Sequence, residues 1–81
     1  MEVYNIIMSM VKGIVDYPDK VTITESDTDK GKLYEISADK EDIGKIIGKG
    51  GRVASAIRIV AKAVGVKHGD KILINVMKDP I

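Results

Sequence analysis

The stretch "IGKIIGKGGRVASAIR", residues 43–58, places four glycines and four basic side chains in sixteen positions that otherwise read as helix. A glycine inside a helix costs about 1 kcal/mol relative to alanine, so the cluster must serve something other than helix formation. On its N-terminal side, Asp39 followed by Asp42 resembles a capping box built with the shorter acid. It starts a helix of about two turns through "KEDIGKII". On the C-terminal side, Val53, Ile57, Val60 and Val64, widened by Ala56 and Ala61, form an apolar stripe at helical spacing, with Gly65 placed to close that helix. The glycines thus fall at a tight reversal between a short helix and a long one, where positive φ and close backbone approach are needed.

Outward from this centre the pattern changes period. Val3, Ile6, Ile7, Met10 and Ile14 form one stripe of a helix over about 2–15, ended by Tyr17-Pro18. "KVTITES" and "KLYEISA" alternate instead, with Val21 and Ile23 on one face of the first and Tyr34, Ile36 and Ala38 on one face of the second; "DTDKG" joins them as a hairpin turn. "KILINVM" is a last strand, with Ile72, Ile74 and Val76 on one face. The order is α-β-β-α-α-β. Residues 1–81 read as one α+β domain, a three-stranded sheet covered on one face by three helices. A strand, two helices and a strand form a crossover that makes the flanking strands parallel, so the sheet should be mixed with residues 32–38 central.

Composition narrows the function classes. The chain has 44% hydrophobic and 31% charged residues, the balance of a soluble globular domain. It has no cysteine, which excludes disulfides and thiolate metal sites and fits an intracellular compartment. "MEVYNIIMSM" carries no basic n-region and no apolar run is long enough to span a bilayer, so a cytoplasmic protein with no membrane association is expected. His68, the only histidine, lies in the connector "VKHGDK" and reads as an exposed loop residue; four serines show no triad spacing. No enzyme, cofactor, metal or small-molecule substrate is expected. Charge is more informative. Residues 1–44 hold five Lys or Arg against ten acids, whereas residues 45–81 hold eight against two, and the basic half, which begins beside the glycines, points to an anionic partner.

Nucleotide motifs that use glycine in this way fail on spacing. A P-loop needs four residues between its glycines and Ser or Thr after the lysine, but "GKIIGKGG" has three and then Gly50. A dinucleotide fingerprint from Gly48 would need glycine at 53, which is valine, and a preceding strand. A calcium loop from Asp27 would need Gly at 32 and Glu at 38, where Lys and Ala stand. What remains is GxxG between two helices, by which K-homology (KH) modules clamp about four nucleotides of a single strand. With Tyr4, Tyr17 and Tyr34 as the only aromatics there is no stacking platform, which favours an aliphatic groove. Met8 and Met10 read as packing residues.

"IGKIIGKGG" resembles the KH core motif, and the element order is that of a type II KH domain. "IVDYPDKVTI" and the stand-alone length are similar to the KhpA family of small bacterial RNA-binding proteins, over essentially the whole chain. The resemblance implies a single-stranded RNA-binding protein acting as a post-transcriptional regulator or RNA chaperone. Gly48, Lys49, Gly50 and Gly51 match the phosphate-contacting loop, and Ile46 and Ile47 precede it. Gly50 departs from the family, which often has a polar or basic residue there. Arg52, Lys45 and Arg58 are further candidate RNA contacts from charge and position, as is Lys62, an i, i+4 neighbour of Arg58. The resemblance also implies a homodimer, or a heterodimer with a KhpB/Jag/EloR-type partner; the alternative function is then an interaction module working with that partner in cell envelope growth and division.

Overall fold

A computed structural model describes residues 2–77. Its elements are α1 (Glu2–Lys12), β1 (Thr22–Thr28), β2 (Gly31–Ser37), α2 (Lys40–Ile47), α3 (Arg52–Lys67) and β3 (Ile72–Val76). β1 and β2 form the expected hairpin, with Ile23 opposite Ile36 and Thr28 opposite Gly31; β3 runs parallel to β2, with Tyr34 opposite Ile74. The sheet order β1-β2-β3 leaves β2 central and β3 at an edge. The fold is therefore the mixed-sheet α+β arrangement of a type II KH domain.

Alternation along the strands puts Ile23, Tyr34, Ile36, Ile72 and Ile74 into one core. Val3, Ile7 and Val11 of α1, Ile43 and Ile46 of α2, and Ile57 and Ala61 of α3 complete it. Met8 and Met10 pack against its margin. Tyr34 is fully buried, and burial, reinforced by the charge of Glu25 and a hydrogen bond to it, pushes its hydroxyl pKa up to about 12.

Four local readings need correction. α1 ends at Lys12, not near residue 15, and Val11 rather than Ile14 completes its buried face. The Gly13 N–H still reaches the Ser9 carbonyl, but the Ile14 N–H turns back to Val11 and the helix stops. Asp39 does cap α2, accepting from the Glu41 N–H at 2.9 Å, but Asp42 makes no reciprocal capping bond. Fully buried, it instead accepts the backbone N–H groups of Asp16 at 3.0 Å and Tyr17 at 2.9 Å. Those donors are free for it because the chain has already left the helix. Burial would raise the Asp42 pKa, but these two N–H groups and the Lys45 ammonium outweigh it and hold the carboxyl below its usual range.

The other two corrections concern α3. Its buried line is Ala54, Ile57, Ala61 and Gly65, while Val60 and Ala56 are exposed. Small side chains let this helix lie close to the sheet; Val53 and Val64 pack on the margin of the core, while Ile59, Val60 and Val66 turn outward. Gly65 does not end the helix, which continues to Lys67 with His68 as its cap; Gly69, at φ 76°, makes the turn instead. A Cβ on Gly65 would collide with the Ile72 side chain. His68 is exposed, as expected, with its Nε2 3.1 Å from Oε2 of Glu2.

Candidate nucleic-acid interface

The reversal between α2 and α3 is built from three glycines that share the left-handed half of backbone space. Gly48 caps α2 with φ 77° and ψ 170°, donating its N–H to the Gly44 carbonyl at 2.8 Å. A side chain there would strike Val53 as well as strain the backbone. Gly50 (φ 63°) and Gly51 (φ 78°) follow, and the Gly51 N–H closes the turn onto the Gly48 carbonyl at 3.1 Å. No neighbouring atom lies where a Cβ on Gly50 or Gly51 would project. The loop therefore offers bare, solvent-facing backbone, which a plain turn would not require.

Gly51 is also the N-cap of α3, and it supplies no side-chain acceptor to the first turn, which contains no acid. The Arg52 N–H turns back to the Lys49 carbonyl, but no side chain caps the first turn of this four-turn helix, and its dipole is left uncompensated there. Lys49 and Arg52, both exposed, flank that end. Among the described residues no carboxylate lies within ion-pair distance of either. Backbone donors, a helix N-terminus and two unpaired cations together suit an anion such as a phosphodiester.

Beside the loop lies a shallow depression of about 230 Å³ lined by Ile47, Gly51, Ala54, Arg58, Asn75 and Val76. Its β3 wall is a sheet edge. The Lys71 carbonyl accepts from the Lys32 N–H at 2.8 Å, and the Met77 N–H donates to the Ile36 carbonyl at 2.9 Å. In a regular parallel ladder partners alternate, so Ile72, Ile74 and Val76 turn their own N–H and C=O away from β2. The depression thus combines aliphatic walls, one guanidinium, one carboxamide and unpaired strand backbone. A larger hollow of about 670 Å³ lies at the opposite end of α2, against Tyr17, Lys20, Asp39 and Glu41. With Lys20 and Lys40 offset by Asp39 and Glu41, it has no net charge to draw a phosphate.

The structure brings Ile47, Gly48, Lys49, Gly50, Gly51, Arg52 and Arg58 around this loop and groove. It separates two others. Ile46 is fully buried and supports the loop from within the core, out of reach of a ligand. The Lys45 ammonium is drawn back to Asp42, at 3.4 Å, and to Asp16. Asn75, Val76 and Ala54 were not anticipated; their signal was topological, since a parallel third strand beside β2 must place an edge next to the crossover helices.

Comparison with known proteins agrees with this geometry. The family model for the KhpA/KhpB KH domain matches residues 5–76. A protein of Listeria monocytogenes named RNA-binding protein KhpA is 45% identical over 73 residues, covering 90% of this chain and 96% of that protein. Proteins of the same name from Clostridium acetobutylicum and Aquifex aeolicus are 38% identical over 69 residues and 35% over 74, covering 85% and 91% of this chain and 92% and 94% of theirs. With the type II order, the GxxG reversal and near full-length similarity all in agreement, this chain belongs to the KhpA/KhpB family of KH domains.

Proposed function

We propose that this chain binds single-stranded RNA, with the phosphodiester backbone crossing the 48–52 loop and the bases seated against Ile47, Ala54 and Val76. The observation that carries the reading is the run of positive-φ glycines opening onto an uncapped helix N-terminus between Lys49 and Arg52. Relatives named as RNA-binding proteins support it. So does the groove, whose strand-edge N–H and C=O groups can meet base edges without aromatic stacking. A role as a post-transcriptional regulator or RNA chaperone fits such sequence-tolerant binding; the chemistry is recognition, not catalysis.

Isothermal titration of a short single-stranded RNA at several salt concentrations tests this. With two to four phosphates neutralised by Lys49, Arg52 and Arg58 or Lys45, log K against log salt should slope by about −1.5 to −3. A slope near zero with affinity retained would exclude phosphate tracking.

One observation favours a second, compatible role. Ala56, Ile59, Val60, Ala63 and Val66 follow one another along the outer side of α3, with Ile59 70% and Val66 75% exposed. An apolar stripe at helical spacing is a surface for a second copy of the chain or for a KhpB/Jag/EloR-type partner. Pairing through it would add a second RNA site and raise avidity. Light scattering of the purified protein across a concentration series distinguishes a dimer from a monomer that awaits another protein.

A further inference from the structure

The connector "IVDYPDKVTI" holds one side chain that neither the fold nor the RNA site has so far used. Asp16 leaves α1 with its backbone N–H fixed on Asp42 Oδ1, while its carboxylate, 71% exposed, reaches across to Nζ of Lys45. Lys45 stands in the last turn of α2, the turn that leads into the glycine loop, and is itself 44% exposed. The two acids have unequal claims on it. Asp42 is buried and already satisfied by two N–H donors, whereas the Asp16 carboxylate is at the surface, where an ion pair is weakly held and open to exchange. The hydrogen bond to Asp16 is also the foremost cause raising the Lys45 pKa.

We infer that Asp16 is an internal competitor for the RNA backbone: it occupies the Lys45 ammonium while the groove is empty and yields it when a phosphate arrives. The inference rests on the RNA-binding reading above and adds a regulatory element to the same site. Exchange of one anion for another at Lys45 lets the loop and groove choose the ligand while moderating its affinity. Free Lys45 would attract any polyanion, whereas held Lys45 contributes only once Lys49 and Arg52 have placed a strand beside it.

The test compares Asp16→Asn with Asp19→Asn, an equal change in net charge in the same connector that leaves Lys45 paired. Asparagine at 16 keeps the backbone N–H bond to Asp42, so the fold should be retained, which circular dichroism checks. Titrated with a short single-stranded RNA, Asp16→Asn should bind about two- to five-fold more tightly than wild type and than Asp19→Asn. That gain should vanish when Lys45→Gln is added. Equal affinities for the two asparagine variants, or a gain that persists without Lys45, would overturn the inference while leaving RNA binding intact. No binding by wild type or any variant would overturn both.

Discussion

Gly65 of α3 lies against Ile72 of β3 with no room for a methyl group between them. Gly65→Ala should therefore destabilise the domain by about 1–3 kcal/mol through overpacking, more than the helix propensity it gains. Gly44, in the exposed interior of α2, has nothing within van der Waals reach of a Cβ. Gly44→Ala should stabilise by about 0.4–1 kcal/mol. Urea unfolding of the two variants should shift the midpoint in opposite directions, and equal shifts would contradict these assignments.

Lys49→Asp combined with Gly50→Asp should abolish RNA binding and keep the fold. Both side chains project into solvent, and aspartate tolerates the left-handed conformation at 50 for about 1–2 kcal/mol. Two carboxylates then repel the phosphates that the loop would hold. Circular dichroism and a gel shift on one sample decide it; binding that survives in the folded variant would remove the loop from the site.

Two isoleucines on α3 should respond oppositely to the same change. Ile57 is buried, so Ile57→Asp should cost several kcal/mol and unfold the domain. Ile59 is exposed, and Ile59→Asp should alter monomer stability by no more than about 0.5 kcal/mol. If copies pair through the outer stripe, Ile59→Asp should instead halve the mass seen by light scattering without loss of helix signal.

At alkaline pH the buried tyrosine sets a limit. The Tyr34 pKa is raised from 10.0 to about 12 on folding, so its neutral form contributes stability that is fully present below pH 10 and lost as pH rises towards 12. Tyr34→Phe should lose less stability over that window than wild type. Parallel melting curves from about pH 9 to 12 would refute this if the two proteins declined together.

Asp42 sets the acid limit. Its folded pKa lies below the ordinary aspartate value, so its stabilisation is present above that value and is lost as pH falls through the folded pKa. Asp42→Asn keeps the shape but replaces one acceptor with a donor facing the Asp16 and Tyr17 N–H groups. A drop in Tm on the order of 5 °C at neutral pH is expected, with the difference from wild type shrinking below about pH 4; a gap unchanged down to pH 2 would show that charge is not what holds the connector.

The element order, hairpin, mixed sheet and glycine reversal were legible because each follows from local period or turn chemistry. Other features required partners that only the fold supplies. Asp42 at N3 fits a local cap, and nothing near it reveals that two N–H groups from another connector will occupy its oxygens. Along α3 the larger apolar residues dominate any reading by periodicity, yet the sheet selected Ala54, Ala61 and Gly65 because close approach rewards small volume. Lys45 was a reasonable candidate from charge alone. Its pairing with Asp16 depends on where the chain turns after α1.

The parallel pairing of Lys32 with Ile72 and of Ile36 with Val76 also orders events in time. Contacts so distant along the chain carry a large loop-closure cost and form late, after the local hairpin and helices. The groove has one wall on each side of that closure, so its formation coincides with the final cooperative step of folding. On the proposed reading, a nascent or nicked chain lacking β3 would carry the glycine loop without a seat for bases, and recognition would wait for complete folding.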